Sequence, residues 1–158
     1  MEIERKFLIK DLPFSLSNFK HREIIQAYLT EIGAHPERRI RKVTDSGISK
    51  YFLTEKEGSG MVREEREREI NAEEYSALRK NIIASDITKK RYFIPINGSL
   101  TVELDIYGGS LSGLAVAEVE FGSAEEAMSF EIPNWFGAEI TDDRRYKNRS
   151  LAENGLPK

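Results

Sequence analysis

The chain of 158 residues is long enough to bury the core of one domain, and its 39% hydrophobic and 32% charged residues are not the composition of a disordered chain. Its 24 basic and 27 acidic residues nearly cancel to a net charge of −3, which argues against bulk electrostatic attraction to nucleic acid or to a membrane surface. The absence of cysteine excludes a disulfide framework and any cysteine-based metal site or nucleophile. With neither a signal-like N-terminus nor an apolar run of about 20 residues, we expect a cytoplasmic protein.

The first predicted strand, Met1–Phe7, has charged side chains on one face and apolar side chains on the other. Because side chains alternate along a strand, Glu2, Glu4 and Lys6 point the same way. These charges cannot be buried without partners, since desolvating an isolated charge is energetically expensive. Their face must therefore meet solvent, opposite charges or a metal ion.

Further strands are predicted where alternating or β-branched segments are bounded by turn residues. They span His21–Thr30, Arg38–Val43, Lys50–Lys56, Met61–Ile70, Ile87–Ile94, Ser99–Tyr107 and Leu114–Phe121. Turns are indicated at Asp45–Gly47, Gly58–Gly60 and Asn97–Gly98, and the last of these is a strong hairpin signal. The short connections predict mostly antiparallel pairing.

The segment Met61–Ile70 is the most ambiguous, because its glutamate and arginine residues also favour a helix. We favour a strand, since the preceding glycine turn suits a hairpin. In addition, Asn71 is suited to cap a separate helix over about Ala72–Ile83. A capping box at Ser123–Glu126 predicts a second short helix that ends near Phe130.

The C-terminal part of the chain is predicted to contain an apolar loop and a final helix. The loop, Asn134–Gly137, carries Trp135 and is expected to cover an edge of the core. The tail from about Asp143 has helical composition, and Asn154–Gly155 is suited to end that helix.

Many of the predicted strands repeat one sign of charge at alternate positions. The cationic pairs are Arg39 and Arg41, and Lys89 and Arg91, and the acidic pairs are Glu103 and Asp105, and Glu118 and Glu120. A flat antiparallel sheet with one solvated face gains nothing from such repeats, whereas a closed barrel with charged faces inside would gather them around one tunnel. Carboxylates bind hard divalent cations, and arginine and lysine bind phosphate oxygens. The pattern suggests a metal–polyphosphate site, and on the pattern alone the flat solvated sheet stays open as the alternative.

The opening segment EIERKF resembles the ExExK signature of the CYTH superfamily, also called the triphosphate tunnel metalloenzymes. Other segments resemble that family in its order: QAYLT from Gln26, RIR from Arg39, YFLTEK from Tyr51, RxExE from Arg63, KxR from Lys89, ELD from Glu103, EVEF from Glu118 and DxRYxN from Asp143. The resemblance covers nearly the whole chain and is greatest to the short bacterial members. It implies one α+β, mainly β domain over residues 1–158, an eight-stranded antiparallel β-barrel tunnel with a charged interior and helices packed outside.

The resemblance also implies which residues form the site. The essential Mg²⁺ or Mn²⁺ would be held by Glu2, Glu4 and Glu120, with Glu118 and Asp105 close by. Additional tunnel carboxylates, which place a second metal or orient the cations, would be Glu65, Glu67 and Glu103. The triphosphate would be bound by Lys6, Arg39, Arg41, Lys56, Arg63, Lys89, Arg91 and Arg145.

Tyr28 and Lys89 match a pair that positions or deprotonates the attacking water in the short bacterial triphosphatases. Lysine can act as a base because neighbouring cations lower its pKa toward neutrality. Phosphoryl transfer depends on positioning and charge neutralisation more than on covalent chemistry. The expected reaction is metal-dependent hydrolysis of the terminal phosphate of inorganic triphosphate, or of a similar small triphosphate, by in-line attack of water.

Other functions remain open on this scaffold. The family includes class IV adenylate cyclases and thiamine triphosphatases, although the sequence contains no base-reading motif that a cyclase would need. A polyphosphate- or nucleotide-binding module without turnover is a further alternative, which the complete set of carboxylates argues against. The expected partner is a small-molecule triphosphate, with no nucleic acid and no membrane, and the expected state is a monomer or homodimer.

Overall fold

The computed structural model describes residues 2–59 and 61–158, so Met1 of the first predicted strand and Gly60 of a predicted turn lie outside the described residues. The strands are β1 (Glu2–Leu8), β2 (His21–Tyr28), β3 (Glu37–Asp45), β4 (Ile48–Ser59), β5 (Val62–Ile70), β6 (Ile87–Pro95), β7 (Thr101–Tyr107) and β8 (Ala115–Glu120). The α-helices are α1 (Ala72–Arg79), α2 (Ala124–Met128) and α3 (Asn148–Asn154). Within the described ranges, no helix combines the length and hydrophobicity that crossing a bilayer requires.

The strands close into one antiparallel barrel in the order β1-β5-β4-β3-β2-β6-β7-β8. Strand β1 completes the closure, since it pairs with β5 on one side and with β8 on the other. The ambiguous segment before α1 is a strand, as predicted, and pairs with β4 along its whole length. The prediction of a closed eight-stranded barrel is confirmed, and the flat sheet is wrong.

The hydrophobic core lies between the outer face of the barrel and the elements that cover it. Helix α1 covers a group in which Ile40 and Leu53 are buried against Tyr75. Helix α3 buries Leu151 in a second group, and α2 with its neighbouring loops covers a third group around Val119. Because the apolar positions of the strands face these outer layers, alternation directs the charged positions into the barrel.

Helix α1 begins at the predicted cap and ends earlier than predicted. The side-chain oxygen of Asn71 accepts the backbone N–H of Glu74 at 2.8 Å, which is N-cap geometry. The helix ends at Arg79 and not at Ile83. The segment after Arg79 leaves the helix because the N–H of Ile83 donates to the carbonyl oxygen of Tyr28 at 3.1 Å, at the end of β2.

The C-terminal tail is not one continuous helix from Asp143. A 3₁₀ turn over Arg144–Tyr146 is followed by Lys147 in an extended conformation, and only then does α3 begin. Gly155 has a φ of 74° and ends α3, as predicted. The first residues of α3, Asn148 among them, border the barrel interior, so α3 closes one end of the tunnel instead of packing wholly outside it.

The apolar loop Asn134–Gly137 covers the core edge, as predicted. The ring of Trp135 lies edge-on to Phe14, with ring centroids 5.2 Å apart. At the end of the loop, the N–H of Gly137 donates to the carbonyl oxygen of Leu8 at 2.7 Å. A Cβ at Gly137 would lie 2.7 Å from that same oxygen, so the close approach of two backbone segments requires glycine there.

We expect Gly137→Ala to lower the free energy of unfolding by about 1–3 kcal/mol, because the added methyl group forces the loop away from β1. Urea denaturation followed by circular dichroism measures this loss. Gly122→Ala is the matched control, since its Cβ would meet no atom closer than 4.0 Å, and it should change stability by no more than about 0.5 kcal/mol. Equal effects of the two substitutions would contradict the proposed steric origin.

Candidate active site

The barrel interior contains a central cavity of about 120 Å³ with an almost wholly polar lining. All eight strands contribute to it through the charged face that alternation predicts. The predicted site residues that line it are Glu2, Lys6, Tyr28, Arg39, Arg41, Lys56, Arg63, Glu65, Lys89, Arg91, Glu103, Glu118 and Glu120. The structure therefore brings together side chains from positions 2 to 120 of the chain.

Three carboxylates of β1 and β8, those of Glu2, Glu118 and Glu120, line this cavity. Burial, and then the like charges of Glu2 and Glu118, raise the pKa of Glu120 above its ordinary value. Burial also opposes the ionisation of Glu118, but attraction to Lys6, and then to other cations including Arg91, outweighs burial and lowers the pKa of Glu118 to about 2. Oxygen donors that repel one another are chemically suited to a divalent cation.

Glu2 is also held from the β4–β5 side of the tunnel. Its carboxylate lies 3.0 Å from the ammonium of Lys56 and 3.8 Å from the guanidinium of Arg63, which in turn contacts Glu4. Burial and a hydrogen bond with Glu2 raise the pKa of Glu65 to about 7, despite attraction to Lys56. Below about pH 7, Glu65 is therefore protonated and can donate a hydrogen bond to the Glu2 carboxylate.

On the opposite wall, Asp105 forms a buried ion-pair centre with Lys89 and Arg91. One carboxylate oxygen of Asp105 lies 2.8 Å from Lys89 Nζ, and both oxygens accept hydrogen bonds from Arg91, at 2.7 and 2.9 Å. Burial lowers the pKa of Lys89 to about 7, with attraction to Asp105 opposing the shift and repulsion from Arg91 adding to it. Lys89 is therefore a lysine that exchanges a proton near neutral pH.

Strands β3 and β5 lie on either side of β4, and their charged side chains form ion pairs over that strand. Arg41 donates to Glu67 at 2.6 Å, and Thr54 of the intervening strand donates to the same oxygen at 2.7 Å. Arg39 lies 3.7 Å from Glu65. The like-charged repeats on single strands are thus matched by opposite charges on other strands.

Among the described residues, three arginines of the central cavity have a buried guanidinium N–H group without a hydrogen-bond acceptor. These N–H groups are those at Nε of Arg39, Arg41 and Arg63, all of which line the cavity. A buried donor without an acceptor is destabilising and is rare in native proteins. These donors are suited to the oxygens of an anion inside the tunnel.

Tyr28 lies beside the same cavity and is completely buried. Its hydroxyl oxygen accepts a hydrogen bond from the Gln26 side-chain amide at 2.6 Å, which leaves the hydroxyl hydrogen available to another group. Burial raises the pKa of Tyr28 well above its ordinary value, despite attraction to Arg39. Tyr28 therefore stays a neutral hydroxyl at physiological pH and can donate a hydrogen bond.

A wide funnel of about 620 Å³ opens from one end of the central cavity, next to the β3–β4 turn. It shares Arg41 and Arg91 with the central cavity, and apolar side chains including Phe52 and Phe93 form part of its wall. The Arg22 guanidinium lies 5.1 Å from the centre of the Phe93 ring, and that of Arg41 lies 5.9 Å from Phe52. This end of the tunnel combines cations with flat aromatic surfaces.

The other end of the tunnel has a smaller mouth of about 150 Å³ between α3 and the loop before β3. Its wall is predominantly basic. The charged residues there are Glu37, Lys56, Arg63, Arg144, Lys147 and Arg149, together with His35. The two ends therefore differ in chemistry, since one is partly apolar and the other is cationic.

Four of the predicted site residues do not line the central cavity. Glu4 is buried and borders a small adjoining cavity, and Glu67 borders the funnel. Asp105 is buried behind the two cations that it binds. For Arg145 the prediction is corrected: its side chain is 62% exposed and paired with Asp143, 2.7 Å away on the outer surface.

Several cavity-lining residues were missed by the sequence analysis. Gln26 and Glu37 stand two positions before Tyr28 and Arg39, so alternation could have placed them in the tunnel. Lys147 enters from an irregular segment to which no periodicity applies.

The described residues contain no group of three or more histidine, aspartate or glutamate side chains arranged closely enough to hold a metal ion. The carboxylates of β1 contact lysine and arginine instead. Their chemistry nevertheless suits a hard divalent ion, because Glu2, Glu118 and Glu120 offer only oxygen and repel one another.

The fold and the site define the class of this protein: a closed β-barrel whose central tunnel is lined by cations and carboxylates. The chain is 36% identical over 151 residues to an inorganic triphosphatase of Nitrosomonas europaea, with 96% of each chain covered. It is 29% identical to an inorganic triphosphatase of Acetivibrio thermocellus, over 97% of this chain and 94% of the relative. No protein-family model matches the chain.

The fold is also similar to a solved structure. The crystal structure of the inorganic triphosphatase NE1496 superposes with a TM-score of 0.71 at 34% identity, covering 99% of this chain and 97% of that one. With more than a third of its residues identical to a curated relative over nearly full length, the chain belongs to the family of inorganic triphosphatases.

Proposed function

We propose that this protein is a metal-dependent hydrolase that removes the terminal phosphate of inorganic triphosphate, and that it is a member of the CYTH superfamily. The observation that carries the proposal is that Arg39, Arg41 and Arg63 line the central cavity, and that their buried Nε donors find no acceptor among the described residues. A compact polyanion supplies acceptors from several directions at once. The names of the two curated relatives support triphosphate as that anion.

The cations of the tunnel would bind the substrate by charge-assisted hydrogen bonds. Guanidinium groups present several N–H donors in a fixed plane that matches phosphate oxygens, and ammonium groups add compact charges. In the free protein, carboxylates such as Glu65 and Glu67 hold these cations in place across the tunnel. Substrate binding would therefore use side chains that are already ordered, which lowers the entropy lost on binding.

Mg²⁺ or Mn²⁺ is part of the proposal because of the donor set on β1 and β8. Glu2, Glu118 and Glu120, with Glu4 behind them, are the residues that would hold the ion. When bound, such an ion offsets negative charge on the phosphate oxygens and the leaving group. The remaining chemistry falls to Lys89 on β6 and Tyr28 on β2.

Lys89 would serve as the base for the attacking water. Its pKa of about 7 leaves a substantial fraction of neutral amine at physiological pH, and the nearby Asp105 fixes its position at 2.8 Å. A proton passes from water to Lys89 Nζ while the water oxygen forms a bond to the terminal phosphorus. The bond from that phosphorus to the bridging oxygen breaks, and orthophosphate and diphosphate leave. The neutral hydroxyl of Tyr28 would orient the water or a phosphate oxygen.

The proposal is tested by measuring phosphate release from tripolyphosphate with Mg²⁺ or Mn²⁺, with and without EDTA. We expect turnover that EDTA abolishes. Glu2→Gln should lower turnover by at least about tenfold, since it removes a carboxylate proposed to bind the metal. Glu64→Gln, on the outward face of the same barrel, should leave turnover unchanged. Undiminished turnover in EDTA would reject the metal-dependent mechanism.

The funnel favours a second candidate, hydrolysis of a triphosphate that carries an organic group. Phe52 and Phe93 offer flat apolar surfaces next to Arg41, which also borders the central cavity. A ring system attached to the outer phosphate could lie against them. Parallel assays with ATP and thiamine triphosphate test this, and cyclic AMP with diphosphate as products would indicate a cyclase instead. Phe52→Ala should impair only the organic substrates.

A further inference from the structure

We infer that Gln26 is a positioning residue for the reaction, which holds the Tyr28 hydroxyl so that its hydrogen points toward the substrate or the attacking water. The inference rests on the proposed function and deepens it, since it adds a residue that acts through Tyr28. Gln26 lies on β2 two positions before Tyr28, and both residues border the central cavity. A hydroxyl has a single hydrogen, so a neighbour that fixes its direction also fixes what Tyr28 can orient.

Gln26 is an amide at a position where burial favours an apolar side chain. Only 1% of the residue is exposed, and in register it lies between Arg41 of β3 and Ile87 of β6. Burying an amide is unfavourable unless its polar atoms find partners. The Gln26 Nε2 group donates to the Tyr28 hydroxyl oxygen at 2.6 Å, and both side chains are buried. The contact with Tyr28 therefore compensates the burial of this amide.

Two polar neighbours of the Tyr28 hydroxyl, Gln26 and Arg39, present donors to it. Arg39 lies directly opposite Tyr28 in the β2–β3 register. Burial raises the pKa of Tyr28, while attraction and a hydrogen bond from Arg39, and a hydrogen bond from Gln26, oppose that rise. Neither a guanidinium nor an amide nitrogen accepts a hydrogen bond. The hydroxyl hydrogen cannot be given to either donor and is directed to a third group.

The central cavity is where that third group would lie. Tyr28 borders the cavity together with Lys89, the residue proposed to take a proton from the attacking water. A water oxygen or a phosphate oxygen in the cavity can accept the hydrogen of Tyr28. A donor that is already oriented before the substrate arrives need not be reorganised during the reaction. Without the amide of Gln26 the hydroxyl can rotate, and the loss should appear in the rate more than in binding.

The test is a double-mutant cycle on the hydrolysis of tripolyphosphate with Mg²⁺ or Mn²⁺, using Gln26→Met and Tyr28→Phe. Methionine keeps the unbranched shape of glutamine and removes its donor. We expect Gln26→Met to lower kcat by about three- to tenfold, the effect of one neutral hydrogen bond, and to change KM by no more than about twofold. In the Tyr28→Phe protein the same substitution should have no further effect, because there is no hydroxyl left to position.

Two further variants separate positioning from packing. Gln26→Glu keeps the size of the side chain and replaces its donor by an acceptor, which would take the hydrogen of Tyr28 for itself. It should lower kcat at least as much as Gln26→Met, and it replaces that variant should the methionine protein fail to fold. Ile25→Met is the matched control on the same strand, since Ile25 is half-buried and alternation places it on the outward face. It should leave kcat and KM unchanged.

A spectroscopic readout follows the Tyr28 hydroxyl without any turnover. The chain has six tyrosines, and labelling them with ¹³C at Cζ places the reporter atom next to each hydroxyl. The signal that disappears in Tyr28→Phe is that of Tyr28. Gln26→Met should shift this signal, because its hydroxyl oxygen loses a hydrogen bond, whereas Ile25→Met should leave it in place.

Additive losses of kcat in Gln26→Met and Tyr28→Phe, or a Tyr28 signal that Gln26→Met does not move, would overturn the inference. A rise in KM that persists in the Tyr28→Phe protein would also overturn it, since Gln26 would then contact the triphosphate directly. Failure of the proposed function is distinguishable. A wild-type protein that releases no phosphate from tripolyphosphate would reject the hydrolase, while a shifted Tyr28 signal would still support the assignment of Gln26 to the Tyr28 hydroxyl.

Discussion

Replacing Lys89 with methionine should lower kcat for tripolyphosphate by about 10²- to 10⁴-fold, the range expected for loss of a positioned general base. The side chain is buried and lies 2.8 Å from Asp105, so no nearby solvent can replace it easily. Methionine has a similar shape and leaves Asp105 paired with Arg91. Steady-state kinetics with a phosphate-release assay measure the change.

The matched control is Lys90→Met, on the exposed outer face of the same strand. It alters the protein's net charge by the same amount and should leave kcat unchanged. Retention of wild-type kcat by Lys89→Met would remove Lys89 from the chemical step and leave it only a binding role.

The pH dependence gives an independent test of the same residue. Burial lowers the pKa of Lys89 to about 7, and only the neutral amine accepts a proton from water. Activity is therefore present above pH 7, and kcat/KM should fall by about tenfold per unit as the pH drops further below 7. Glu65 also has a pKa of about 7, so Glu65→Gln is needed as a comparison. We assign the fall of kcat/KM below pH 7 to Lys89. This fall should therefore persist in Glu65→Gln and disappear in Lys89→Met.

The interior of the barrel was largely predictable because a strand has a period of two. Once Glu2 and Lys6 are assigned to one face of β1, every other residue of the strand is placed with them, and the same holds for Glu118 and Glu120 on β8. The outer layers follow from the complementary positions, such as Ile40 and Leu53.

What alternation does not predict is which strands lie next to one another around the barrel. The pairing of Arg41 with Glu67 joins β3 to β5 across Thr54 of β4, a relation that depends on closure and register and not on either segment alone. The free Nε groups of Arg39 and Arg41 are a further consequence of that geometry. The sequence indicates which charged side chains lie inside the barrel. Which of them form ion pairs and hydrogen bonds with one another depends on the folded barrel.

The end of the tunnel was predicted least well, because irregular backbone has no period. Arg145 was expected to reach the substrate, yet the 3₁₀ turn directs it outward to Asp143, and Lys147 takes the inward position two residues later. The early end of α1 has a similar origin. Ile83 joins the backbone of Tyr28 through a long-range hydrogen bond that helix propensity does not include.

Removing the carboxylate of Asp105 should cause the largest loss of stability of any substitution considered for this protein. Asp105→Ala leaves the buried Lys89 without the carboxylate that it contacts and leaves Arg91 paired with Glu103 alone. Breaking a buried pair on one side destabilises by about 3–5 kcal/mol, because the remaining charge has lost its compensation. Urea denaturation in EDTA measures this free energy of unfolding without any contribution from bound metal.

Asp86→Ala provides the comparison, since Asp86 forms a surface ion pair with Arg79 at 2.9 Å that is worth about 1 kcal/mol or less.

The dependence of stability on acid should distinguish the two sites further. Burial raises the pKa of Asp105, but Arg91 and Lys89 outweigh it and lower that pKa below the unfolded value of about 3.9. The stability from Asp105 is therefore complete above that pH and is lost as the pH falls through the lower folded value. Wild type and Asp105→Ala should converge in acid, and a gap that stays constant with pH would show that Asp105 stabilises the barrel by packing and not by charge.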